Sequence, residues 1–401
     1  MPIRIDYGRE SVEYDVLESN IVTVSRAPIV EPITDVEGAV RQALDDPFEF
    51  PPLARAITPD DRIAIVVDET VPQLTKVLIP LLEYLVEAGI NPEAISLVCY
   101  PPSTQQPWLD DLPESLEDIQ IEIHDAKDRQ QLSYLSTTTR GRRLYLNRTV
   151  VDADQLIVLT RVGFDPVDGY RGSELALFPD LCDEETQDSI EAGSLSLDPP
   201  SGDGSKNAEA SEAAWLLGLP FFLQVIEADE GNIAHFVGGV ATSTDQAKEL
   251  LEARWRVEVE EPADVVLASV KGEPEDVGFA ELGRALANAA RVVKTDGKIV
   301  LLTDANPQVT DTLAVLQNTG DSGSALKVAE KTTTKQHEIL FHWAAAAERA
   351  TIYFLSQLSS DTAEELLTVP LHHAGEVQRL LTEHKTCVVL PEAHKMLATL
   401  K

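Results

Sequence analysis

The eight histidines and three cysteines of this 401-residue chain are the side chains best suited to metal ligation, nucleophilic attack or proton transfer. Their spacing favours none of these. His337 and His342 are five residues apart, which sets them on different faces of a helix. His372 and His373 are adjacent and point in different directions, which fits a surface or interface role better than a shared metal. His124, His235, His384 and His394 are dispersed, and for each a packing role outweighs ligation. There is no HExxH, no GxSxG, no GxxxxGKS or GxxxxGKT loop, and no GxGxxG after a strand, so zinc-protease, serine-hydrolase and nucleotide-binding readings find no support. The Gly238-Gly239 pair reads as a turn. Cys99, Cys182 and Cys387 lie far apart with no CxxC pair, the pattern of a reduced compartment and not of a disulfide scaffold.

Composition narrows the classes further. With 43% hydrophobic residues the chain can bury a sizeable core, and its length favours two domains. Its 32 basic against 68 acidic residues give a formal net charge of -36. Such a field repels phosphate backbones and anionic lipid, so neither nucleic acid nor a membrane is expected as a partner. The first residues lack the apolar run of a signal peptide, and no apolar stretch is long enough to cross a bilayer. A cytoplasmic protein is the expectation.

The elements that position any site alternate strand and helix. Arg62 to Asp68 is a β-branched buried strand, Leu74 to Ala88 an amphipathic helix closed by Gly89 and Pro92, and Ile95 to Tyr100 a second strand. This is a βαβ unit and implies a parallel sheet. Gln155 to Thr160 adds a strand, Ser194 to Ser211 reads as a long loop, and Thr242 to Val257 as a helix. A second βαβ unit follows the acidic break Glu258 to Pro262: strand Asp264 to Val270, helix Phe279 to Val293, a turn at Thr295-Asp296-Gly297, then strand Lys298 to Thr303. Further strands are expected at Thr351 to Leu355 and Thr386 to Leu390. The fold class is therefore α/β: two domains, 1–257 and 258–401, each a largely parallel sheet flanked by helices, with a ligand cleft between them.

The order of short segments carries a resemblance. Tyr7-Gly8, Pro51-Pro52-Leu53 and Asp68-Glu69-Thr70-Val71-Pro72 come first. Asp152-Ala153-Asp154, Gly169-Tyr170-Arg171-Gly172-Ser173 and Phe178-Pro179 follow, then Gly272-Glu273-Pro274-Glu275-Asp276 in the second domain. Together they resemble, collinearly, the nickel-dependent lactate racemase family, with its D-x-T-R-P, glycine-rich and G-x-P-x-D motifs. The resemblance implies a nickel-pincer cofactor tethered to a lysine, a histidine on the metal and two histidines as acid and base. Carried over, the motif arginine falls on Val71, the catalytic histidines on Thr104 and Asp165, the tethering lysine on Leu175, and the nickel histidine on Glu191. The cofactor-contacting glutamine and lysine fall on Glu281 and Arg284. Leucine cannot form the covalent thioamide, and no histidine lies between His124 and His235. The cofactor is thus expected to be absent and the member divergent.

What the resemblance leaves as cleft candidates is Asp68, Thr70, Asp165, Gly169, Arg171, Gly172 and Glu191. Asp68, Asp165 and Glu191, with Glu174 beside them, would suit a divalent cation or a cationic ligand. Arg161, Arg171 and Arg284 would neutralise them and favour an anion instead. Three functions stay open: a small-ligand or cation binder without racemase activity, an active 2-hydroxyacid racemase holding its cofactor non-covalently, and a non-enzymatic partner of an active paralogue. Ligand identity and oligomeric state are not legible.

Overall fold

Strand β1 (Ile63–Asp68) is buried along its whole length, as a strand covered on both faces by helices must be. Helix α1 (Leu74–Glu87) follows, and its stripe Val77, Leu78, Leu81, Leu82 and Leu85 recurs at helical spacing and is fully buried. Strands β2 (Ile95–Tyr100), β3 (Gln120–Ile123), β4 (Gln155–Val162), β5 (Phe221–Glu227) and β6 (Ile233–Gly239) complete a six-stranded sheet in the order β6-β5-β4-β1-β2-β3. All neighbours are parallel except the edge pair β5–β6. Helix α2 (Ser243–Trp255) packs against it. The computed structural model describes residues 2–22, 24–25, 30–100, 106–166, 169–190, 195–198, 205–331, 335–383 and 386–401.

The second sheet is wholly parallel. Strands β7 (Ala263–Ser269), β8 (Val293–Leu302), β9 (Ala350–Leu355), β10 (Thr368–Leu371) and β11 (Cys387–Leu390) stand in the order β10-β9-β8-β7-β11. Helices α3 (Phe279–Val292), α4 (Lys335–Arg349) and α5 (Gly375–Glu383) connect them. The two-domain α/β expectation therefore holds. The first hairpin of the chain, Pro2–Tyr7 with Glu10–Asp15, lays Ile5 and Tyr14 on the second sheet beside Val265, Leu267 and Val300. Segment 258–263 runs out of strand Arg256–Val259, which pairs in parallel with Leu397–Leu400, and into β7. Chain continuity and spatial grouping thus differ at the N-terminus.

Three local expectations are corrected. Ser205–Leu216 is a helix in place of the expected loop to Ser211; Ala210, Ala213 and Ala214 bury its inner face, and alanine's helix propensity outweighs the serines around it. Thr295-Asp296-Gly297 does not break the chain before a strand: β8 starts at Val293 and passes through Asp296 at φ 60°, where its register against β7 shifts. Gly238-Gly239 is not a turn but the end of β6. A Cβ on Gly238 would lie 2.1 Å from the Ala43 carbonyl oxygen, so the glycine permits the end of helix Val36–Asp45 to press on the sheet. Gly238→Ala should cost roughly 2–3 kcal/mol, read as a lowered urea midpoint with unchanged slope, because a backbone oxygen cannot move aside cheaply.

Candidate functional site

Asp68 ends β1, and its carboxylate organises the loop beyond. One oxygen accepts from the Thr70 backbone N–H (2.9 Å) and hydroxyl (2.6 Å); the other accepts from the Arg161 N–H (3.1 Å) and the Thr160 hydroxyl (3.4 Å). It thereby ties the C-terminal ends of β1 and β4, where open parallel sheets place their ligand crevice. Arg171 follows a glycine turn and donates Nη2–H to the Thr70 hydroxyl at 3.1 Å. Gly172 takes φ 109° with its Cα so close to β4 that a Cβ would sit 2.7 Å from the Arg161 carbonyl oxygen. Only glycine fits there.

Across the gap stands α3. Glu281, Arg284, Asn288 and Arg291 recur at intervals of three and four and so share one helix face. Arg284 pairs with Glu281. Asn288 holds the C-terminal segment, donating to the Ala393 and Met396 carbonyls at 2.9 and 2.8 Å and accepting from the Ala398 N–H at 2.9 Å. Arg291 donates to the Pro166 and Leu197 carbonyls at 3.1 and 2.8 Å, and burial pulls its pKa down to about 10.

Between these elements lies a cavity of about 410 Å³. Asp68, Thr70, Asp165, Arg171, Gly172 and Leu175 line it from the first domain, Arg284 and His342 from the second. The sequence candidates thus largely converge. Asp165 lies within the electrostatic reach of Arg171 and Arg291 as a counter-charge to both, and it also favours protonation of His342, which burial outweighs. Gly169 shapes the preceding turn at φ 77°. Glu174 faces a different cavity with Tyr170 and Lys248, where burial raises its pKa, so it does not join Asp68 and Asp165. Glu281 belongs to an adjoining cavity of about 810 Å³ that shares Thr70, Arg171 and Arg284. Thr104 and Glu191 lie outside the described residues. Among the described residues, no group of three His, Cys, Asp or Glu side chains is placed to hold a metal ion, and no helix is long and apolar enough to cross a membrane.

Sequence reasoning missed three groups here. His342 is only 3% exposed and lines the cavity, its ring hydrogen-bonded to the Glu338 carbonyl while Nε2 has no partner. Burial pulls its pKa to about 4. His394 lines the adjoining cavity and is likewise held neutral by burial. Lys395, beside it, lies 2.7 Å from both Glu227 and Glu392, and Arg161 reaches Glu227 at 3.0 Å. Burial opposes the Lys395 charge, but the two carboxylates outweigh it and raise its pKa.

Three comparisons with known proteins agree. Residues 7–191 match the lactate racemase N-terminal domain model. A lactate racemase from Thermoanaerobacterium thermosaccharolyticum is 21% identical over 321 residues, 75% of this chain and 74% of that protein. The chain is thus similar in sequence to lactate racemases. The apoprotein structure of the Thermoanaerobacterium thermosaccharolyticum lactate racemase superposes with a TM-score of 0.82 at 16% identity, covering 99% of this chain and all of that one. A Thermotoga maritima protein structure follows at TM-score 0.66 and 12% identity, covering 93% and 100%. The fold is shared.

The lactate racemase-like cleft can be tested for fit to a covalently tethered nickel pincer. At Leu175, the position that the resemblance assigns to the tether, the side chain is hydrocarbon, 8% exposed in the cavity wall, and offers no amine. Asp165 stands where the resemblance calls for a titrating imidazole. The described residues do not fit the tethered group.

The burial of His342 and of Lys395 has consequences for stability. The native His342 pKa lies below its unfolded value, so the unfolded chain binds more protons between about pH 6.5 and 4 and stability falls as pH falls through that window. His342→Gln should flatten this loss by up to roughly 3 kcal/mol in urea titrations repeated across pH. Lys395→Ala strands Glu392 without its cation and leaves Glu227 to Arg161 alone, and should cost about 3–5 kcal/mol at neutral pH, while Lys395→Met with Glu392→Gln should recover part of it.

Proposed function

We propose that this lactate racemase-like protein binds a small carboxylate in the cleft between its sheets, without nickel-pincer racemisation. The observation that carries the reading is Arg171. Among the described residues its guanidinium makes one side-chain hydrogen bond, to the neutral Thr70 hydroxyl, and no ion pair. Burial lowers its pKa, as it does for a cation whose desolvation is incompletely offset. A ligand carboxylate beside it would supply a charge-assisted hydrogen bond and recover part of that desolvation cost. Asp165 does not cancel this preference, because it also answers Arg291.

A divalent cation is supported less well. Both Asp68 oxygens already accept hydrogen bonds from β1 and β4 neighbours, which leaves few lone pairs for a metal that takes six to eight oxygen ligands when it is calcium-like. Racemisation through a tethered cofactor lacks its amine at Leu175. Lactate, the substrate in the relative's name, is itself a short carboxylate.

Titration of the purified protein with lactate and other short carboxylates should give saturable binding that weakens by roughly 10- to 100-fold on Arg171→Gln. Mass spectrometry and metal analysis after co-production with the maturation enzymes of a lactate racemase should find no added cofactor mass and no stoichiometric nickel. A nickel adduct, or racemised lactate, would overturn the reading in favour of an active racemase. Stabilisation by calcium or manganese with none by carboxylates would overturn it in favour of a cation site. No response to either class would favour a non-enzymatic interaction partner.

A further inference from the structure

The wall around Arg171 is not polar throughout. Leu175 and Ala176 follow Gly172 on one side, and Ala280, Gly283 and Ile339 face them from α3 and α4. Gly283 lets the helices close: a Cβ there would lie 3.4 Å from Ile339 Cγ2, so the Ile339 side chain packs near the α3 backbone. The position that the resemblance assigns to a charged tether is therefore part of a hydrocarbon surface. A cavity of about 410 Å³ lies in the range that holds ligands far larger than lactate, whose only apolar group is a methyl.

The remaining charges decide the ligand's own charge. Asp165, Asp180 and Glu338 line the same cavity. Arg284 is paired with Glu281, and Arg291 is spent on backbone carbonyls. Arg171 can answer one carboxylate; a second negative charge would meet the wall carboxylates.

We infer that the cleft selects a monocarboxylate carrying an alkyl or aryl body, with Leu175 as the residue that sets this specificity. The inference rests on the carboxylate reading above and adds to it the shape and charge of the ligand. Burying the body against Leu175, Ala176 and Ile339 raises affinity by about fourfold for each methylene removed from water.

The test is a panel of acetate, lactate, butyrate, hexanoate, phenylacetate and succinate, titrated calorimetrically or, for weak members, by ligand-observed NMR. Affinity should climb from acetate through butyrate to hexanoate, with phenylacetate near the top and succinate below butyrate. Leu175→Ala should lower hexanoate affinity roughly tenfold and leave acetate within about twofold. Ala280→Leu, which fills the cavity without removing packing, should block hexanoate and phenylacetate and spare acetate. Equal binding of acetate and hexanoate that still depends on Arg171, or tighter binding of succinate than of hexanoate, would overturn the inference and leave the carboxylate reading standing. Failure of every member to bind would overturn both.

Discussion

The architecture of the cleft depends on one buried ammonium. Lys395 extends from the segment after β11 and lies between Glu392 of its own segment and Glu227 at the end of β5, in the first sheet. Arg161, at the end of β4, completes the chain of charges. Each of these ions loses water on docking, a penalty of several kcal/mol apiece, and only close mutual contact offsets it. Each side brings one acid and one base, and the Lys395–Glu227 contact joins the two pairs across the gap. The ion chain therefore specifies how the two sheets face each other more than it adds net stability, and the walls of both adjoining cavities follow from that relation.

A second constraint acts inside the first domain. Asp68 resembles a reactive carboxylate in sequence, standing at a strand end beside Thr70, yet its oxygens bind the Thr70 and Arg161 backbone amides. It serves as a joint that fixes where Arg171 can reach, since Arg171 donates to the same Thr70 hydroxyl that Asp68 accepts from. Positive charge is thereby aimed into the cavity by a negative residue that has no capacity left for a ligand. Asp165, on the same side of the cavity, balances Arg171 and Arg291 together.

Local pattern made the fold largely legible and the site only in part. β1, α1, β2 and α3 lie within a residue or two of where periodicity and glycine punctuation put them, because burial on both faces leaves an apolar run no other reading. The helix Ser205–Leu216 was hidden by serines and glycine just upstream that signal a loop. Asn288, Arg291 and Lys395 went unseen, and His342 and His394 were not placed at the cleft, for a different reason. Their roles exist only once the second sheet docks on the first, and no property of one segment records that contact. A trace was present on α3, where polar residues interrupt an alanine-rich helix at three- and four-residue intervals. That spacing marks a polar stripe directed at a partner surface, and the partner is the first domain.

The protonation states of the cleft bear on what it can do. A group that shuttles protons works best when its pKa lies near the working pH. His342 is held far below that by burial, with the carbonyl of Glu338 only partly restoring it. His394 is likewise held well below its usual range, by burial and by the Lys395, Arg284 and Arg161 charges. Both imidazoles stay neutral at physiological pH, able to give or accept a hydrogen bond but badly placed in energy to carry a proton away. Arg171 and Arg284, in turn, keep their charge and offer fixed donors. Cations beside neutral imidazoles suit the proposed anion better than they suit the transfer of a proton. These protonation states support the proposed carboxylate site on a scaffold similar to that of lactate racemase.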